Sequence, residues 1–530
     1  MLRALAAIWL VIFAGAQSAC GGVIPAPLDA VLDRGETLRV RGSPPTTLDP
    51  AVAGDSVTWS YLIQLYSGLV RLDQKLEIVP DLAERWELSP DGRTYTFSLR
   101  AGARFHSGRE VEPADFRYAI ERALSPATKS SNVMQYLGDV VGAADVAAGR
   151  ATELAGVRVL DARRLSIQID APKSYFLAKL TFPMAFALDR ANVESGPEWF
   201  QRPNGTGPFR LGDWERTSKL TLLRFNQHWT GPARVRAVEF DLSPTPGIVL
   251  YERGDVDVSE VDVGSLERVS DPGNPLRKEL VVTPLASTWY IGFNATRPPF
   301  DDPAVRRAFA YATDRDRLAR VYFRGTRAAA ETILPPGLPG FNQQIKALPF
   351  DLAEAKRQLA SSRYAGRMPE IVLSVGEGSG ATGEAFAEMY ARNLGVDVGV
   401  RELANDYFGT LERHEAQMFF TGWVADYPDP ENFLDILFHS GSSGNYGAFS
   451  SPELDGLLER ARVETEEVRR VELYGQAEQV ILRDAAAIPI HHETTHALVR
   501  PYVRGLTYTP LGIISYHEVE VGERTGRRAA

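Results

Sequence analysis

Cysteine is nearly missing from this chain: in 530 residues there is one, Cys20. That excludes an intramolecular disulfide framework and any cysteine-clustered metal site. After the first residues, no stretch approaches the ~20 consecutive apolar residues that a membrane-crossing helix needs. Basic charge is not in excess either, since 58 Lys+Arg against 68 Asp+Glu leave a formal net charge of −10. Such a balance argues against a nucleic-acid partner, whose phosphates call for a basic surface. Internal repeats, low-complexity tracts and the G-x-S-x-G elbow of serine hydrolases are absent from the sequence. The length calls for more than one core.

What is present begins at the N-terminus. Arg3 precedes a short apolar run, Ala4 to Ala16, bounded by small residues, so residues 1–19 read as an export signal. Gln17-Ser18-Ala19-Cys20 resembles a bacterial lipobox, which makes Cys20 the expected lipidation site and residues 20–34 a lipid-anchored tether in the cell envelope. Ala14-Gly15-Ala16 also fits an ordinary signal-peptidase cut.

Beyond the tether, strand and helix signals interleave, which predicts an α/β protein. Strands are predicted at 38–40, 220–225, 238–242, 371–375 and 396–400, hairpins at 86–99 and 157–169, and a strand region at 282–294. Helices are predicted at 57–69, 113–124, 352–360, 384–394, 452–463 and 468–482, with a further start at Asp302-Pro303, where an Asp cap meets a first-turn Pro. Gly205-Thr206-Gly207 lacks the G-K-[ST] of a phosphate loop and reads as a connection.

The most informative local text is Trp423-Val424-Ala425-Asp426-Tyr427-Pro428-Asp429-Pro430. A short apolar run from Met418 leads to one carboxylate, and two prolines then stop the backbone from continuing regularly. An acid beside a Trp and a Tyr at the end of a strand suits capture of a cationic group. A turn Asp that caps its own backbone is the alternative.

His492-Glu493-Thr494-Thr495-His496 matches H-E-x-x-H, the zinc-peptidase signature. That chemistry needs a helix, on which positions i and i+4 share a face ~6 Å apart. Flanking Pro489 and Pro501, two threonines and alternating aliphatics favour a strand, on which the histidines stand ~13 Å apart. No other histidine shows metal spacing, so no metal or cofactor is expected.

Taken in order, several segments resemble the extracytoplasmic solute-binding proteins of peptide and nickel ABC importers, the oligopeptide- and dipeptide-binding group. These are Leu48-Asp49-Pro50, Val79 to Trp86, Asp91 to Phe97, Phe105 to Gly108, Asn204 to Phe209, Asn226 to Trp229, Phe300 to Arg306, Trp423 to Pro430, Ser451 to Asp455 and Ile488-Pro489-Ile490. The resemblance implies a two-lobed, type II-like periplasmic-binding-protein fold with a hinged cleft and an extra subdomain on the first lobe. Lobe I is then expected at 35–68, 199–287 and 499–530, the subdomain at 69–198 and lobe II at 288–498.

It also implies a non-enzymatic, monomeric receptor that holds a peptide between the lobes and delivers it to permease subunits. A zinc peptidase and a binder of a nickel chelate are the alternatives. Asp426 would hold the ligand ammonium beside Tyr427, while Gly422, Trp423 and Val424 offer backbone to an extended ligand. Some close peptide binders carry an Arg where this chain has Phe420, and Arg413 is the candidate substitute for the ligand's other end.

Overall fold

In the computed structural model the structure describes residues 36–524 other than 325 and 405, so the expectations for the export signal and Cys20 lie outside the described residues. Two large mixed sheets organise it. The seven-stranded sheet runs Leu280–Pro284, Thr494–Val499, Val258–Glu260, Thr37–Arg41, Ala237–Asp241, Lys219–Arg224, Phe209–Glu215. The six-stranded sheet runs Ala328–Ala329, Ala487–His492, Ser287–Phe293, Met418–Val424, Ile371–Gly376, Val398–Leu403. A four-stranded antiparallel sheet, formed by 83–99 and 157–168, lies in chain order between Thr37–Arg41 and the other strands of the seven-stranded sheet.

Among the described residues the chain passes between the two large sheets at two places. The expected strand region 282–294 is two strands, because Leu280–Pro284 pairs with Thr494–Val499 while Ser287–Phe293 pairs with Ala487–His492. The first crossing is therefore Leu285-Ala286 and the second is Glu493. The two crossings are bonded to each other: the Leu285 amide donates to the Glu493 carbonyl at 2.9 Å, and the Glu493 amide to Ser287 Oγ at 3.2 Å. Residues 494–498 thus belong to the seven-stranded sheet, whereas the expected division left them with lobe II. The pairing Val282↔His496 decides this.

Local signals explain most element ends. Asp55 accepts the Thr58 amide at 2.7 Å and starts the helix Ser56–Leu65. That helix stops short of the expected 69, because the amides of Ser67 and Gly68 are taken by Thr206 Oγ1 and Asp81. Gly68 serves packing rather than capping, since a Cβ there would lie 2.8 Å from the Phe186 ring. Asp302 accepts the Ala304 amide and starts Pro303–Ala312, as its sequence signal requires.

The cores follow the sheets. Val40, Leu222 and Phe240 anchor one, and Ile291, Val375 and Phe420 another. The largest runs from Phe97 and Ile167 in the four-stranded sheet through Phe182 to Tyr427 and Phe433, which pack beside the six-stranded sheet.

Candidate functional site

Met418–Val424 is paired with Ser287–Phe293 along its whole length, but with Ile371–Gly376 only at Met418, Phe419 and Phe420. The edge from Thr421 to Val424 is therefore open on that side. The Ala425 amide donates to the Ala286 carbonyl at 2.8 Å, so alternation along the ladder turns Ala425, Trp423 and Thr421 toward Ser287–Phe293. Gly422 and Val424 consequently point their amides and carbonyls toward the open edge. Gly422 has a second constraint: a Cβ would lie 2.5 Å from Trp289 Cε2, so only glycine lets that indole cover the strand.

At the end of this strand sits Asp426, held by neutral groups alone. Pro428 and Pro430 turn the chain into the helix Glu431–Phe438, which places Asn432, fully buried, against the turn. Asn432 Oδ1 accepts both the Asp426 amide and Trp423 Nε1, each at 3.0 Å, and its Nδ2 donates to Asp426 Oδ2 at 3.2 Å. Gln135 Nε2 donates to the same carboxylate oxygen at 3.3 Å from 291 residues away, and the Tyr136 hydroxyl donates to the carboxylate as well. Burial pushes the Asp426 carboxyl up to about 6, against the opposing bonds from Tyr136 and Asn432. No cation pairs with it among the described residues. Desolvating a carboxylate without a cation costs several kcal/mol, so this arrangement favours a positively charged guest.

A second set of groups crosses between the same bodies. Lys179 Nζ, almost fully buried, lies 3.0 Å from Asp139 and 3.3 Å from Glu431. Burial opposes the Lys179 charge, but Glu431 and Asp139 outweigh it and hold its pKa above the usual range. Glu431 itself is raised, chiefly by burial and then by Asp435, while Lys179 opposes the shift. Asp139 holds Lys173 and Lys179 together and is lowered despite its burial, so Glu431 is the acid left incompletely compensated. The Tyr427 hydroxyl donates to Glu431, which links this ion pair to the residue beside Asp426.

The remaining expectations divide. Gly422, Trp423, Val424 and Asp426 are brought together on one strand and its turn. Tyr427 is fully buried, its ring 6.4 Å from that of Tyr136, and it packs the wall behind Asp426 rather than lining open space. Arg413 is half-exposed and held by Asp406 at 2.7 Å and Glu415 at 2.9 Å, with no contact to the Asp426 group among the described residues.

His492, Glu493 and His496 lie on no helix. His492 ends one strand with Nδ1 donating to the Ser287 carbonyl at 2.9 Å, and His496 stands opposite Val282 in the other sheet. The zinc-peptidase reading fails on this geometry, which spreads the motif over the second crossing.

Sequence reading missed Gln135, Tyr136, Lys179, Glu431 and Asn432. Only Asn432 left a local trace, as an amide inside the apolar run Glu431–Phe438. It also passed over Gly378-Ser379-Gly380-Ala381-Thr382-Gly383, which has dinucleotide-loop spacing at a strand-to-helix turn. The Glu402 carboxylate already accepts the Gly378 amide at 2.5 Å there and would repel a phosphate.

Comparison with known proteins bears on the same elements. The family described as "Bacterial extracellular solute-binding proteins, family 5 Middle" matches residues 77–445. A probable deoxycholate-binding periplasmic protein of Escherichia coli, YgiS, is 30% identical, covering 94% of this chain and 95% of its own. The oligopeptide-binding protein OppA of Bacillus subtilis is 27% identical over 85% of this chain and 86% of its own. Among solved structures, the murein tripeptide binding protein MppA of Escherichia coli superposes with a TM-score of 0.80 at 27% identity, covering 92% of this chain and 98% of that one. An unliganded open form of MppA, at the same identity and covering 92% of this chain and 97% of its own, gives 0.73.

Proposed function

The chain belongs to family 5 of the bacterial extracellular solute-binding proteins, and from that premise we propose that it is the peptide-binding component of an ABC importer. A short peptide lies extended along the open edge of Thr421–Val424, bonded through its main chain to Gly422 and Val424, with its ammonium at Asp426. Main-chain pairing is indifferent to side-chain identity, which suits a receptor for many sequences. The observation that carries this reading is Asp426: a part-buried carboxylate that no cation pairs among the described residues, set at the end of an unpaired strand edge.

The lobes meet at the two crossings, Leu285-Ala286 and Glu493, with the four-stranded sheet and its helices as a subdomain of the first lobe. Both walls of the site come from one chain, which supports action as a monomer. The single cysteine directly after an export signal supports lipid anchoring at Cys20. The protein is a receptor and not an enzyme, as its family is.

Replacing Asp426 by Ala tests the site. Calorimetry should show loss of free-amine peptide binding by about a hundredfold, while N-acetylated peptides keep their weaker affinity. Equal loss for both kinds of peptide would reject the ammonium role. Mass spectrometry of ligand released from the purified protein tests the peptide reading itself, and a non-peptide ligand in stoichiometric amount would overturn it.

A further inference from the structure

A hollow of about 480 Å³ lies within the first lobe. The helix Ser56–Leu65, the turn between Val70–Leu72 and Ile78–Pro80, and the C-terminal segment 507–518 surround it. None of its lining residues comes from the six-stranded sheet, so it needs no lobe closure to form. The Trp59 ring packs 4.9 Å from Phe182, and Phe182 stacks on Tyr136 at 3.8 Å, which walls the hollow off from Asp426. Its size falls in the range of small-molecule pockets.

The chemistry of the wall is one-sided. Trp59, Ile63, Phe186 and Ile513 supply apolar surface. The acids there are already engaged: Asp73 accepts the amides of Lys75 and Glu77, Asp81 those of Gly68 and the Trp229 indole, and Glu518 pairs with His517 and Arg234. Arg71 and Lys75, exposed at the rim, make no ion pair or side-chain hydrogen bond among the described residues, although Arg71 does act electrostatically on Asp81. Trp59 Nε1 and His228 Nε2 in the wall also lack hydrogen-bond partners among the described residues. Leu76, which lines the hollow at the tip of the same turn, is held at φ 64°, an uncommon conformation for a non-glycine residue.

We propose that this hollow is a second ligand site, for a small organic anion with an apolar body. The body packs against Trp59, Ile63, Phe186 and Ile513, and the anionic end meets Arg71 and Lys75. The cations at the rim discriminate by charge, Arg71 also acting on the buried Asp81, and the apolar wall supplies the affinity.

Anilinonaphthalene sulfonate, whose emission rises in apolar surroundings, is the probe, titrated into the whole ligand-stripped protein beside its uncharged counterpart phenylnaphthylamine. One saturable site is expected for the sulfonate, with the uncharged dye about tenfold weaker or more. The Arg71→Gln/Lys75→Gln double variant should lose about tenfold for the sulfonate and nothing for the uncharged dye. In Asp426→Ala the sulfonate affinity should be unchanged. No saturable binding, equal affinity for the two dyes, or loss in Asp426→Ala would each overturn the assignment. The titration contains no peptide, so its failure leaves the peptide reading to be judged by its own experiment.

Discussion

Asp426 is maintained at a cost to the empty protein. Burial holds its carboxyl at about 6 against an ordinary 3.8, so between those values the folded chain keeps a proton that the unfolded chain has released. Stability therefore falls as pH rises through that window, and the whole deficit is present above about pH 6. Asp426→Asn removes the titration, and it should stabilise the ligand-free protein at pH 8 by on the order of 2 kcal/mol. At about pH 3, below both values, the gain should vanish. Thermal unfolding at the two pH values measures this, and identical melting at pH 8 would mean that the carboxylate is well solvated. The same variant should lose free-amine ligands, a conflict between stability and function expected of a binding site.

Within the strand Met418–Val424, neighbouring residues have opposite duties. The Val424 amide faces the open edge and supports no ladder bond, whereas that of Trp423 faces Ser287–Phe293. Val424→Pro should lower peptide affinity about tenfold or more with little change in melting temperature, while Trp423→Pro should disrupt the sheet. Isothermal titration beside thermal unfolding distinguishes the two. If Val424→Pro binds normally, the ligand does not extend that strand.

The helix Glu431–Phe438 has a comparable double role, since it presents Asn432 to Asp426 and Glu431 to Lys179. Lys179→Met leaves two buried acids without their shared cation and should cost about 3 kcal/mol or more in denaturant unfolding. Glu431→Gln should cost less, because Asp139 retains Lys179. The reverse ranking would show that the pair with Glu431 contributes more than the pair with Asp139.

For the whole molecule, the two crossings are short, adjacent and bonded to each other, which is the form of a hinge between two sheet-based bodies. Gln135 with Asp426, and Lys179 with Glu431, join the short helices packed with the four-stranded sheet to the turn and helix that follow Met418–Val424, and the superposition on MppA is poorer for its unliganded open form. Stripping ligand should therefore open the protein. Small-angle scattering should give a larger radius of gyration for stripped protein than for ligand-loaded protein, and no difference between them would argue against hinge closure.

Much of this was legible in the chain itself. Asp302 and Pro113 set helix starts because a cap or a fixed φ acts on amides within a few residues. The ordered segments from Leu48-Asp49-Pro50 to Ile488-Pro489-Ile490 carried the two-lobed architecture, and the acid after Met418–Val424 marked a candidate site. Tertiary structure decided what sequence spacing cannot express. It split 282–294 and 487–499 between two sheets, because a strand's partners lie hundreds of residues away and its period is the same in either sheet. It also brought Gln135 and Tyr136 onto Asp426 and Lys179 onto Glu431. Whether a carboxylate is a solvated turn cap or a cation site depends on what covers it, and part of that cover comes from 291 residues away.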